Sequence, residues 1–599
     1  MAISLASQVI AVSAALISLD YSHRFTARPE PPKAEYDYIV IGAGTGGATV
    51  AARLSELSNV QVLLLEAGGP GNIESDAPAM ANMIIKGQWN WNYTNVKQSV
   101  GIGWKNQVIP EHRGYGLGGT SSINSMVFNR GNSRGYDDWA NRYGATGWGW
   151  DDVHQYFMKW ENNTDSKIVK DNPDWHSTKG PVQVSSFKNP DPIYQLMVRA
   201  NNELGYPTTD INGPKQVGVA ISQSFTTVRG VRSSSSNSYL EGKRRPNLDI
   251  SVYSRVIRLL FKGLAATGVQ YVKNDVTYVA KATKEIIVSA GAINTPQLLM
   301  LSGIGPAQHL HHHSIPVLSD LPVGVGLKNH PRIDLRVLIK NDSLVTTSRQ
   351  QDLNSLTVPN LYKWFTYGSG PLSEYHNTVT FLNSRNNKDK NWPDLSVEVR
   401  LLYQPTDIQS SAQSFDDVYG WTEYLKPYAN RYYFQMMPIH QLPRSSGYVQ
   451  LKSSNPYDAP VINPKLLSHP KDMDELVEVI RYALYMAERS SLAQYLLPLR
   501  PIPGCNACPH TSYLYECDSY IKCQIKQITW TVYHDCCTVR MGDPYSKDTV
   551  LDPRLKIKGL HRLRVCDASV FPNIPNANIN SATFMVGEKC AEMIKEDNH

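Results

Sequence analysis

The hydrophobic positions of this chain fall into three rhythms. Near the N-terminus, Tyr36-Asp37-Tyr38-Ile39-Val40-Ile41 is dense enough in apolar residues for a buried strand, and it stops abruptly at Gly42-Ala43-Gly44-Thr45-Gly46-Gly47. Ala48 to Leu57 then carries a helical period, and Val60 to Leu65 is a second strand-like run ending on Glu66. Gly68 to Gly119 is loop-rich, and helical segments are predicted around Asp151 to Trp160 and Pro192 to Leu204. A strand-like group from Leu248 through Leu260 precedes a strand at Glu285 to Val288 and a turn at Gly291. From about Ile333 to Val449 the pattern alternates, as in Leu395-Ser396-Val397-Glu398-Val399, which predicts an antiparallel sheet. Asp472 to Glu488 is an amphipathic helix with Leu476, Val479, Ile480 and Leu484 on one face. The end returns to strand, turn and helix, Arg564 to Asp567 and then Thr583 to Met593. No internal repeat is present. The expected architecture is α/β plus α+β, a Rossmann-like dinucleotide domain interrupted by a mostly antiparallel domain and completed by the C-terminus.

The glycine turn has a physical purpose at each position. Gly42 permits the tight turn, Gly44 lets the backbone approach a pyrophosphate, and Gly47 lets helix and strand pack closely. The helix N-terminus offers unpaired N–H groups to phosphate. Glu66, about 20 residues on, is placed to accept from both ribose hydroxyls, which disfavours a 2′-phosphate and hence NADP. The turn by itself leaves NAD and FAD open.

With 599 residues the chain needs two large domains or more. Its 41% hydrophobic and 19% charged residues are those of an ordinary globular protein, and a net charge of +6 without a Lys/Arg-dense block argues against nucleic-acid binding. Met1 to Leu19 is apolar and uncharged, like the core of a signal peptide without its basic start, and too short and serine-rich for a stable membrane span. Acceptor sequons at Asn92, Asn162 and Asn341 agree with secretion. All eight cysteines lie between Cys505 and Cys590. Cys505, Cys508, Cys517 and Cys523 have no His pair at zinc-ligand spacing, so a disulfide-tied loop is expected and no metal, with the pairing open.

Five separated segments resemble the glucose–methanol–choline (GMC) flavoprotein oxidoreductases over nearly the whole chain, from about Tyr36 to the C-terminal helix. They are the glycine turn, Arg113-Gly114-Tyr115-Gly116-Leu117-Gly118-Gly119-Thr120-Ser121-Ser122-Ile123-Asn124, Gly291 through Gly305, Leu321-Pro322-Val323-Gly324 through His330-Pro331, and Tyr533-His534 through Met541-Gly542 with Asn580 downstream. The cysteine loop and Arg444-Ser445-Ser446-Gly447-Tyr448-Val449 look most like the arthropod branch. The resemblance implies FAD as cofactor, and non-covalent attachment, because Ile123 stands where some members carry the His that bonds the flavin. The apolar start is read as a signal or leader over 1–34, and the resemblance implies an FAD-binding domain over 35–332 and 530–599 with an inserted substrate domain over 333–529. Cofactor-binding positions carried over are Gly42, Gly44, Thr45, Gly47, Glu66, Ala67, Arg113, Gly118, Gly119, Ser122, Asn124, Met126, Val256, Ala290, Asp567, Ala568 and Ser581, with Val256 at the adenine and Asp567-Ala568 at the ribityl–pyrophosphate.

The catalytic pair carried over is His534 with Asn580. Alcohol oxidation breaks an O–H and a C–H bond, and while the cofactor accepts hydride at flavin N5 the protein must manage the proton. A neutral imidazole with a pKa of about 6–7 can take it, and Asn580 would hold the hydroxyl in register. The chain departs from the family pattern around this pair. The family's His-Pro-Val-Gly-Thr-Cys-Lys-Met-Gly is His534-Asp535-Cys536-Cys537-Thr538-Val539-Arg540-Met541-Gly542 here, Asn329 replaces a common Asp, and Tyr115 replaces a basic residue. The resemblance therefore implies altered specificity: a secreted oxidase of a small aromatic or apolar alcohol, a cyanohydrin such as mandelonitrile among the candidates, reducing O2 to H2O2. A sugar substrate, a dehydrogenase with a quinone acceptor, an FAD-scaffolded hydroxynitrile lyase and an inactive binding protein share the same motifs.

Overall fold

The computed structural model describes residues 32–187, 192–243, 245–341, 345, 357–373, 375–404, 408, 412–416 and 419–598. The expected leader over 1–34 lies almost entirely outside the described residues, as do two residues of the sequon at Asn341.

Strand β1 (Glu35–Ile41) is the middle of a sheet whose order runs β3 (Leu248–Ser251), β2 (Val62–Leu65), β1, β6 (Val276–Val288), β5 (Ala265–Lys273), β4 (Arg255–Lys262). β1, β2, β3 and β6 pair in parallel, with Ile39 opposite Leu63 on one side and Ile286 on the other. Such a centre is buried on both faces, which explains why Ile39, Val40, Val62, Leu63 and Leu64 leave no alternation in the sequence. The sequence-predicted strand Glu285–Val288 is only the last part of β6. Its front half forms an antiparallel hairpin with β5, turned at Asn274 and Asp275, both at positive φ (48° and 61°). Helix α1 spans Thr45–Leu54, three residues earlier at each end than the periodicity of Ala48–Leu57 predicts. The helical bonds begin inside the glycine turn, where Ala48 N–H donates to Gly44 O at 2.9 Å.

The second sheet is wholly antiparallel: Trp530–Thr531, β7 (Pro331–Arg332), Arg431–His440, Leu395–Gln404, Thr378–Leu382 and Gly218–Ile221, with β8 (Leu335–Leu338) also on Arg431–His440. The mostly antiparallel sheet read from the sequence is present, and it recruits Gly218–Ile221 and Trp530–Thr531 from outside 333–529. One face carries Val397, Val399, Leu401, Phe434 and Met436 into a core shared with the helix Pro470–Arg489, whose Leu476, Val479, Ile480 and Leu484 are buried as the periodicity requires. The helix is also fixed electrostatically. His440 Nε2 lies 3.4 Å from Asp472 and 3.2 Å from Glu475, while Arg444 and Ser445 donate to the same carboxylates. These donors occupy oxygens that would otherwise bracket a cation.

The cysteine loop is tied by Cys505–Cys523 and Cys508–Cys517, and Cys566–Cys590 joins the C-terminal strand and helix, leaving Cys536 and Cys537 free and buried. Strand Leu563–Val565 pairs in parallel with β6, and the helix Asn580–Asp597 packs on α1, so the last residues complete the first sheet.

Burial opposes the charge on His440, but Asp472 and Glu475 raise its pKa from 6.5 to about 9. A His raised on folding contributes stability fully present below its unfolded pKa and lost as pH rises through the folded one. The loss of thermal stability in His440→Gln is therefore expected to be greatest at about pH 6, on the order of 3 kcal/mol, and to shrink toward about pH 9.5. Equal melting shifts at both pH values would show that the cluster is not charged in this way.

Candidate active site

A continuous cavity of about 520 Å³ runs from the glycine turn to the antiparallel sheet. At its first end, Gly44 precedes α1 with no side-chain cap, so the first amides of the helix have no partner from a capping side chain. A Cβ on Gly44 would meet nothing nearer than Gly119 Cα at 3.9 Å and would project into open space, whereas one on Gly47 would strike Gly42 O at 1.9 Å. Gly42 itself needs φ +93°. Glu66 stands beside the turn, its carboxylate accepting from the backbone N–H of Ala43 at 2.8 Å and of Gly68 at 2.9 Å. Burial raises its pKa against the pull of these amides and those of Gly116 and Ala67. This is a cradle for a dinucleotide: free helix amides for pyrophosphate, an acceptor pair for ribose, and no side chain in between.

The carried-over positions divide cleanly. Gly42, Gly44, Thr45, Glu66, Ala67, Arg113, Gly119, Asn124, Met126, Val256, Ala290, Asp567, Ala568, His534 and Asn580 all line this cavity. Gly47, Gly118, Ser122 and Ser581 stand behind its wall. Gly47 sets the contact with β1, and Ser122 Oγ donates to Leu117 O at 2.8 Å over Gly118. Ser581 Oγ is buried without a partner among the described residues. Asp567 is on the wall, but its carboxylate is taken by Gly291 N–H (2.8 Å), Thr295 Oγ1 (2.6 Å) and Ser569 N–H (2.7 Å), so it shapes the Gly291 turn. Asn124 likewise has its amide oxygen engaged, by Met126 N–H at 3.0 Å and Arg232 at 2.9 Å.

At the other end, His534 sits half-buried with one edge on the cavity. Its Nδ1 is 2.9 Å from His330 Nδ1 and its Nε2 is 3.5 Å from the side-chain nitrogen of Asn578. The Asn578 NH2, which also donates to Glu398 at 3.1 Å, can only be a donor toward His534 Nε2, and this puts the imidazole proton on Nδ1. His330 Nδ1 then accepts from His534 Nδ1–H, and the free lone pair of His534 is on Nε2, facing Asn578 and the cavity. The amide that meets His534 is thus Asn578. Asn580, the expected second member of the pair, accepts from Thr45 Oγ1 at 2.8 Å and leaves its own NH2 without a partner beside the glycine turn. The segment Asn576-Ala577-Asn578-Ile579-Asn580 offers asparagines at alternate positions, and spacing alone does not choose between them; Asn580 is the first residue of the helix.

Removal from water lowers the pKa of His534 well below 6.5, with His330, Arg113 and Arg332 acting in the same direction. The direction is downward from the expected value of about 6–7, and burial favours the neutral imidazole. Arg113 lines the cavity and also braces the chain beside His534. Its guanidinium holds Tyr533 O, Glu111 at 3.1 Å and Asp535 at 3.2 Å, and so clamps the backbone at Tyr533, which has φ 62°. Asn329 accepts from His534 N–H and donates to Asp535, both at 2.9 Å. The departures Asn329 and Asp535 therefore compensate one another, since an acid at 329 would face the Asp535 carboxylate.

The comparisons with known proteins agree with this geometry. Family models described as GMC oxidoreductase match residues 36–332 and 443–587. The chain belongs to the GMC oxidoreductase family. It is similar to the ecdysone oxidase of Bombyx mori, 32% identical over 575 residues, covering 94% of this chain and 82% of that protein. Oxygen-dependent choline dehydrogenase of Escherichia coli is also 32% identical, covering 94% and 96%. Among solved structures, formate oxidase of Aspergillus oryzae superimposes with a TM-score of 0.79 at 26% identity, covering 94% and 98%. The chain is thus a GMC oxidoreductase of the FAD-dependent kind, acting on alcohol-type substrates, and the cradle fits that cofactor.

The two glycines separate cofactor binding from folding. Gly44→Val is expected to purify without yellow FAD yet melt at almost the same temperature as wild type stripped of FAD. Gly47→Ala should destabilise by about 1–3 kcal/mol or more. Full FAD retention in Gly44→Val, read from absorbance against protein, would remove the turn from the cofactor site.

Proposed function

We propose that this GMC enzyme oxidises a small alcohol with a flat, apolar or aromatic body, with His534 as base. The observation that carries this reading is the neutral His534 Nε2 at 3.5 Å from Asn578, on the cavity shared with the glycine turn. FAD, when bound, supplies the hydride acceptor and delivers the two electrons to the final acceptor. His534 Nε2 takes the hydroxyl proton and Asn578 holds the substrate oxygen, while the free NH2 of Asn580 stands on the cofactor side, beside Thr45. His330 keeps the imidazole in the competent tautomer. Once protonated, His534 places a positive charge where dioxygen would be reduced, and we read the enzyme as an oxidase releasing H2O2. Trp104, Phe415, Trp421 and Trp530 supply an aromatic wall for the substrate. A cyanohydrin is one alcohol of this shape.

An anaerobic absorbance scan over a panel of alcohols, followed by readmission of air, tests substrate and acceptor together. Flavin bleaching and then peroxide are expected. Cyanohydrin cleavage without bleaching would indicate a lyase, and reoxidation only by quinone dyes a dehydrogenase. His534→Ala should slow bleaching by about 10²–10⁴-fold, and Asn578→Ala should cost more than Asn580→Ala. The depressed pKa makes the acid limb of kcat/KM fall below pH 6.5, because the base stays deprotonated until that point. A limb at or above 6.5 would contradict the buried neutral base.

We further propose that FAD is bound without a covalent bond, since Ile123 lines the cavity where a linking His would stand. The three disulfides and the exposed Asn92 support secretion. Acid precipitation should leave all the flavin in the supernatant, and protein secreted by an expressing cell should begin downstream of the apolar leader. Yellow precipitate, or retention inside the cell, would overturn the respective statement.

A further inference from the structure

The wall of the cavity remote from the glycine turn carries an excess of positive charge. Arg336 on β8 and Arg400 on the strand Leu395–Gln404 are both register partners of Gln435, so the three side chains stand in one row across adjacent strands. The alternation that sends Val399 and Phe434 into the core sends this row to the cavity. Arg332 lies on the same wall, its guanidinium 4.2 Å above the ring of Trp530.

Three guanidiniums face two carboxylates. Asp334 accepts from Trp530 Nε1 at 3.2 Å and from Gln435, with Arg332 at 3.5 Å. Glu398 accepts from Asn578 at 3.1 Å and lies 3.5 Å from Arg400. Among the described residues, Arg332 Nε, Arg336 Nη1 and Arg400 Nε are buried atoms with no hydrogen-bond partner, and Arg332 and Arg400 are only 5% and 8% exposed. An unmatched buried cation is costly unless an anion completes it, and guanidinium groups suit the paired oxygens of a carboxylate or phosphate. Beside the row, Trp530, Trp104, Phe415 and Trp421 form a stack with ring separations of 5.0, 4.7 and 4.0 Å, a surface for a flat body. Asn578 touches both Glu398 and His534, so Asn578 and Glu398 together link the reacting end to Arg400.

We infer that the substrate is an anionic alcohol: a flat apolar or aromatic body with CH–OH at one end and an oxyanion, carboxylate or phosphate ester, at the other, received by Arg336, Arg400 and Arg332. This specificity rests on the alcohol-oxidising reading of the same site. The test uses the FAD-loaded enzyme and four benzyl alcohols: 4-carboxylate, 4-phosphate ester, unsubstituted and 4-aminomethyl. Anaerobic flavin reduction should favour an anionic member over the neutral one by about tenfold or more in kcat/KM, with the cationic member poorest. The better of the two anions identifies the source of the oxyanion. The anionic-to-neutral ratio should fall about tenfold in Arg336→Gln and recover in Arg336→Lys. Preference for the neutral or cationic alcohol, or a ratio unmoved in Arg336→Gln, would overturn the inference. If no alcohol bleaches the flavin, the oxidation reading fails, and binding of 4-methylbenzoate and phenyl phosphate, followed by flavin absorbance in wild type and Arg336→Gln, still decides the subsite. Weaker binding in the variant supports it, and no binding of either anion to wild type sinks it.

Discussion

A side chain at Gly46 would drive its Cβ to 2.1 Å from the carbonyl oxygen of Cys566. That close approach is one of the points where the first and last parts of the chain meet. It holds the N-terminus of α1 against the end of the strand Leu563–Val565, which in turn brings Asp567 under the Gly291 turn and starts the helix Asn580–Asp597 beside Thr45. The cradle, the Gly291 turn and both C-terminal asparagines take their positions from it. Nothing larger than a hydrogen is accommodated there, and at Gly47 the same holds against Gly42 O.

Around His534 the structure uses neutral hydrogen bonds and no ion pair. Two imidazoles share one proton between their Nδ1 atoms, and the nearest cations, Arg113 and Arg332, are engaged by carboxylates or an aromatic ring. The base is therefore poised by burial, with no anionic partner to raise its basicity. Such a base gains proton affinity chiefly from what enters the site, an arrangement that couples proton transfer to the presence of the substrate oxygen.

Much of this was legible in the sequence because it depends on local rules. The glycine turn, the buried strands Tyr36–Ile41 and Val60–Leu65, the amphipathic helix at Asp472–Glu488 and the family segments each carry their own pattern. What escaped was relational. Asn578 and Asn580 differ by two positions, and only the start of the helix at Asn580 decides which of them meets His534. Arg113 lies in a cofactor signature, yet it clamps a carbonyl 420 residues away. The pH at which His534 titrates is set by enclosure, which no motif encodes. The arginine row was within reach, since the alternation through Val397-Glu398-Val399-Arg400 already separates the charged face from the core. What the pattern did not give was the partner strand, and hence the neighbour, Arg336.

The strand Leu563–Val565 and the helix Asn580–Asp597 have a consequence for how the molecule is made. The glycine turn at Gly42–Gly47 leaves the ribosome more than five hundred residues before the segments that cover it. At ordinary elongation rates it waits on the order of a minute with its apolar strand edge and helix face uncovered. Folding of the cofactor domain is thus completed only once the helix Asn580–Asp597 has emerged, and the link from Cys566 to Cys590 can be made only at that stage. A chain that stops short of Leu563 would be left with an open sheet edge at β6 as well as an incomplete active site.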